Sequence, residues 1–98
     1  MEDLAIRTAN QEDIPQLLNL MYQYIVDFYK RPKPTEKSLK GLIQLLLNNP
    51  ASGIQFVAEQ DGKLLGFATL YFSFSTLHLK RMAILNDLFV IPKHEGKN

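Results

Sequence analysis

Ile54-Gln55-Phe56-Val57-Ala58-Glu59-Gln60-Asp61-Gly62-Lys63-Leu64-Leu65-Gly66-Phe67-Ala68 is the stretch on which the fold turns. Ile54 to Gln60 reads as a strand, and Lys63 to Phe74 as a second. Asp61-Gly62 between them is a strong two-residue hairpin signal, because such a turn needs positive φ and these residues tolerate it. Gly66 inside the second strand predicts a bulge or a close backbone approach. Downstream, Ser75 to Arg81 is a mostly polar connection, and Met82 to Val90 is a third strand, stopped by Pro92.

Upstream the period changes from strand-like to helical. Ile14, Leu17, Leu18, Met21, Ile25, Phe28 and Tyr29 recur at helical intervals, which predicts an amphipathic helix to about Tyr29. Asp13 is expected to cap it, with Pro15 in its first turn and Gln16 at capping-box spacing. Pro32 and Pro34 end it. Thr35 is the expected N-cap of a second helix carrying Leu39, Leu42, Ile43, Leu46 and Leu47, stopped by Asn48-Asn49-Pro50. Leu4 to Thr8 alternates weakly and reads as a short opening strand. The order is therefore β-α-α-β-β-β: an α+β fold, an antiparallel sheet with two helices, in a single domain of 98 residues.

Composition excludes several classes of function. Eleven basic residues against ten acidic ones leave a net charge of +1, so no electrostatic case for nucleic acid arises. The apolar stretches fall well short of a membrane span, so no membrane partner is expected. The chain has no cysteine, hence no disulfide framework and no thiolate chemistry, which fits a cytoplasmic protein. The acidic start Met1-Glu2-Asp3-Leu4 lacks the pattern of a signal peptide. His78 and His94 stand alone, without a metal-ligand pattern.

The ordered set of motifs resembles the GNAT superfamily of N-acetyltransferases. The run from Phe56 to Ala68 is similar to that superfamily's "v-A-e-x-d-G-k-l-v-G-f-a" hairpin, and Glu12-Asp13-Ile14-Pro15 leads into the first helix as it does there. Leu85-Asn86-Asp87-Leu88-Phe89-Val90-Ile91-Pro92 is similar to its "L-x-x-L-y-V-x-P" strand. The aromatic-rich Gly66 to Ser75 followed by Ile84 to Val90 is similar, within it, to the spermidine/spermine (diamine) group. The resemblance implies transfer of an acetyl group from acetyl-CoA to the primary amine of a small molecule, a polyamine being one candidate.

The same resemblance assigns roles. The main chains of Leu88, Phe89 and Val90 are expected to hold the thioester oxygen and the pantetheine arm, a task suited to rigid backbone donors. The structural reading of Leu88 and Val90 is that their side chains are core residues of a buried strand. The loop after Pro92 corresponds to the family's pyrophosphate cradle, where Glu95 takes an Arg/Gln position, Gly96 and Lys97 match, and Asn98 takes a glycine position. On this reading the chain is an N-terminal half-fold, lacking the C-terminal part and cut within that loop, and is expected to be weak or inactive by itself. Asp87 and Asn86 are the acid/base candidates, although Asn86 stands where the diamine group carries a glutamate and asparagine is no base at neutral pH. Strict alternation puts the two on opposite faces unless a bulge intervenes. Tyr24, Asp27 and Tyr29 are the expected acceptor-side residues; the simpler alternative is that Tyr22 and Tyr29 pack on the core with their hydroxyls reaching water. The alternative to catalysis is an inactive half-fold that acts by self-association, as a homodimer or larger, through the apolar edge of Met82 to Val90.

Overall fold

The computed structural model describes residues 4–92. Four antiparallel strands pair in the order β1-β2-β3-β4: β1 (Ala5–Thr8), β2 (Gly53–Gln60), β3 (Lys63–Ser75) and β4 (Lys80–Val90). Two helices, α1 (Ile14–Tyr22) and α2 (Glu36–Asn48), lie between β1 and β2 in sequence and cover one face of the sheet. The α+β arrangement expected from the sequence is the one observed.

The core is the apolar stripe of each helix pressed on that face. Leu17, Leu18, Leu20 and Met21 of α1 and Leu39 and Ile43 of α2 pack with Val57, Phe67 and Phe89. Each such side chain, taken fully from water, contributes about 1.5–3 kcal/mol. The opposite face is uncovered among the described residues. Ile6, Leu88 and Val90 stand exposed there, beside a shallow apolar hollow that Phe56, Ala58 and Ala68 also line.

The hairpin between β2 and β3 forms as its sequence predicts, with Asp61 and Gly62 at φ +54° and +76°. Gly66 is a close-approach site: a Cβ there would lie 2.6 Å from the Phe89 carbonyl oxygen. The β2–β3 register shifts between Ala58 and Glu59, so Leu65, next to Gly66, is the extra residue.

The start of α1 departs from expectation. Asp13 does not cap the helix with its side chain. Asn10 caps a 3-10 turn (Gln11–Asp13) instead, accepting from the Glu12 N–H at 2.9 Å while Asp13 accepts from the Asn10 N–H at 2.8 Å. The Asp13 carboxylate is committed elsewhere: it takes the Arg7 guanidinium at 2.8 and 2.9 Å. Gln16 is not part of a cap either. Its side chain donates to the Gly62 carbonyl at 3.0 Å and accepts from the Leu64 N–H at 2.8 Å, tying the helix to the hairpin. Thr35 caps α2 as expected, accepting from the Ser38 N–H at 3.1 Å.

Two boundaries also move. The α-helix ends at Tyr22, and Gln23–Phe28 continue as a π-helical turn, closed by a Tyr29 N–H to Tyr24 carbonyl bond of 3.1 Å and by Lys30 at φ +58°. The last strand starts at Lys80 rather than Met82, because pairing runs to the tip: Phe74 opposes Arg81 and Ser75 opposes Lys80.

Candidate active site at the bulged edge strand

β4 lies at the edge of the sheet, with no strand on its outer side among the described residues. Its register with β3 shifts in the middle: Asp87 opposes Thr69, but Leu85 opposes Leu70, so Asn86 is an extra, unpaired residue. This is the bulge that the Asn-Asp pair left open as a condition. It resets the alternation of side chains on the rest of the strand. Asp87 pairs with buried Thr69 on the helix-covered face, whereas Asn86 is exposed.

The same parity corrects one expectation. Leu88 and Val90 are not core residues: they are 63% and 50% exposed, and Phe89 between them is 6% exposed. The main chain alternates in step. Ile91 donates its N–H to the Leu65 carbonyl at 2.9 Å. In an antiparallel ladder residues two apart turn their polar groups the same way. Phe89 therefore faces β3, and the N–H and C=O groups of Leu88 and Val90 face the open edge.

Aromatic rings from the π turn close over this strand. Tyr24 meets Phe67, Phe89 and Tyr29 edge-on, with centroids 5.5, 5.7 and 5.1 Å apart. Its hydroxyl donates to Asp87 Oδ1 at 3.0 Å. Burial, then the Asp87 carboxylate and the neighbouring Tyr29, push the Tyr24 phenol well above the usual tyrosine range. Tyr71, also half-buried on this face, is raised by burial and then by the Asp87 charge. One carboxylate thus sits among phenols that stay protonated at neutral pH.

Tyr24, Tyr29 and Asp87 are brought together in space. Asp27 is not part of that group; it is exposed and lines a separate cleft of about 140 Å³ with Gln23, Phe28, Phe89 and Pro92. Glu95, Gly96, Lys97 and Asn98, with His94, lie outside the described residues. His78 is local to the β3–β4 turn, with its ring nitrogen 3.1 Å from the Ser75 hydroxyl. Tyr71 was missed by motif reading. Its signal was positional, since it lies two residues from Thr69 and so on the same face as Asp87.

The protein-family model described as "Acetyltransferase (GNAT) family" matches residues 18–98. The uncharacterized N-acetyltransferase YhfO of Bacillus subtilis (strain 168) is 37% identical over 92 residues, covering 94% of this chain and 60% of that protein. The chain therefore spans about 60% of the length of the curated relative it matches. Among solved structures, an integron cassette protein from the mobile metagenome of Cole Harbour Salt Marsh has a TM-score of 0.84 at 24% identity, over 94% of this chain and 59% of that one. A predicted acetyltransferase from Clostridium acetobutylicum, solved with acetyl-CoA, has a TM-score of 0.78 at 20% identity, over 97% and 64%. At these identities the two structures establish the fold.

Proposed function

Because the chain belongs to the acetyltransferase (GNAT) family, we propose that it takes part in transferring the acetyl group of acetyl-CoA to the primary amine of a small molecule. The bulged edge of β4 is the working surface. The observation that carries this reading is the bulge at Asn86, which turns Asp87 toward Tyr24 on one face and leaves the polar main chain of Leu88 and Val90 at the open edge.

Acetyl transfer needs the thioester carbonyl held and polarised while the amine approaches. In the run Leu88, Phe89 and Val90, the outward N–H groups of Leu88 and Val90 supply donors that need no reorganisation, while Phe89 anchors the strand by its buried ring. Asp87 holds the amine as its ammonium and accepts a proton as nitrogen becomes the nucleophile. The amine nitrogen then bonds to the carbonyl carbon, the carbon–sulfur bond breaks, the departing thiolate takes the second proton of that nitrogen, and Asp87 releases the first to solvent, giving an amide and free CoA thiol. Asn86 has no basic group, and its role is the bulge itself. The cradle for the pyrophosphate is proposed to begin in Glu95-Gly96-Lys97-Asn98. The finer reading, a polyamine acceptor, is supported by the exposed Tyr29 and by Asp27, an exposed carboxylate in a separate cleft that is also lined by Phe89. The cytoplasm is the proposed compartment.

The test is incubation with acetyl-CoA and a panel of primary amines, followed by mass spectrometry. Slow formation of an acceptor carrying one acetyl group in place of a hydrogen, together with free CoA thiol, is expected of a chain that is weak by itself, and both are lost in Asp87→Ala. Acetyl-CoA hydrolysis without an acetylated amine contradicts the reading. A second reading, action by self-association, is favoured by one observation: the tip of the β3–β4 hairpin carries Phe74, Leu77 and Leu79 at 79%, 86% and 85% exposure.

A further inference from the structure

The hydrogen bond between Tyr24 and Asp87 joins two elements 63 residues apart in sequence. The Tyr24 ring has little freedom, since Phe67, Phe89 and Tyr29 meet it edge-on and Phe28 stacks at 6.4 Å. Asp87 differs in this respect. It sits next to a bulge on an edge strand, and the terminal torsion of an aspartate is broad and roughly two-fold. An unheld carboxylate there samples several orientations. Tyr24 fixes Oδ1, and no donor among the described residues is bonded to Oδ2.

We propose that Tyr24 is a positioning residue, holding the Asp87 carboxylate by Oδ1 so that Oδ2 is presented to the ammonium of the acceptor. The Tyr24 hydroxyl stays a donor throughout the physiological range, since burial and the Asp87 charge both oppose its ionisation. Tyr29 backs Tyr24 rather than the carboxylate, with its ring perpendicular to the Tyr24 ring at 5.1 Å. The ammonium as ligand rests on the acetyl-transfer reading; the hold on Asp87 does not.

Binding measured without acetyl-CoA separates the two claims. The probe is n-butylammonium chloride, with n-butanol as the uncharged control, titrated into the full chain and followed by NMR. Tyr24→Phe keeps the ring and removes the hydroxyl. Its ammonium affinity is expected to fall about tenfold, as for one charge-assisted hydrogen bond, with n-butanol binding unchanged. Asp87→Asn falls at least as far, and the double variant binds no more weakly than Asp87→Asn, because the hydroxyl acts through the carboxylate. A merely structural tie lowers the unfolding temperature and leaves the preference for cation over alcohol intact. Wild-type-like ammonium affinity in Tyr24→Phe, or equal loss of both probes, overturns the proposal. Should Tyr24→Phe not fold, the wild-type titration still decides: the Tyr24 ring signals must move with ammonium and not with alcohol. No ammonium binding by the wild type overturns this proposal and leaves acetyl transfer to its own assay. Ammonium binding without any acetylated product fails the acetyl-transfer reading alone.

Discussion

Asp13 shows how one carboxylate changes the reading of a helix start. It accepts the Asn10 N–H and both terminal nitrogens of Arg7, whose Nε binds Glu59 at 2.8 Å, so it ties β1 to the approach of α1. The hydrogen bonds from Arg7, against the opposing effect of burial, hold its pKa below the ordinary carboxylate value. A depressed folded pKa contributes stability that is present above the unfolded value of about 3.9 and is lost as pH falls through the folded pKa. Urea unfolding of Asp13→Asn at pH 7 is expected to show a loss of about 2 kcal/mol, and the acid-side slope of stability below about pH 4 flattens. Sequence spacing marked Asp13 as the cap because position is all that spacing records. Its true partner, Arg7, was six residues upstream and on another element. The position of Asp87 was legible for the opposite reason: it follows from the strand motif, and the bulge at Asn86 then turns it to the helix-covered face. Tyr71 was not legible, because an aromatic residue in a strand reads as packing until its neighbour across the sheet is known.

At the scale of elements, the strands and both helices were legible from period and turn chemistry, while the π turn was not. A π turn differs from an α turn by one residue of winding, and the sequence from Gln23 to Phe28 keeps its apolar spacing through it. The rings of Tyr24 and Phe28, both seated against Phe89, accompany that winding. The parity of β4 was misread at Leu88 and Val90 because the helices cover one face only, so a strand with apolar residues on both faces buries just one set. At Gly66 the backbones of β3 and β4 approach closely. Gly66→Ala places a methyl group 2.6 Å from the Phe89 carbonyl oxygen, which cannot move without opening the ladder. Denaturant unfolding is expected to show a loss of about 1–3 kcal/mol, and the amide signals of Phe89 and Val90 are expected to shift more than those of α2.

At the scale of the whole molecule, the sheet has one covered face and, among the described residues, one bare face. The β3–β4 hairpin also runs past β2, whose first residue Gly53 pairs with Tyr71, so its outer end, from the Phe72–Ala83 pair to the Ser75–Lys80 pair, is a two-stranded ribbon with apolar side chains at the tip. Such a ribbon is marginal in water by itself. A concentration-dependent rise in mass by light scattering is expected, and Phe74→Lys with Leu79→Lys is expected to shift the population toward monomer. A wild type monomeric at all concentrations contradicts that expectation without touching the site, which lies at the other end of β4.

This end of β4 is the proposed receiving surface for the acetyl donor. Amide-resolved NMR during titration of the full chain with acetyl-CoA tests it most directly, since it reads even weak binding one N–H at a time. The Leu88 and Val90 amides are expected to move most, with Phe89, whose N–H faces β3, moving less. Millimolar acetyl-CoA leaving residues 86–90 unmoved, or moving only the hairpin tip, would contradict it.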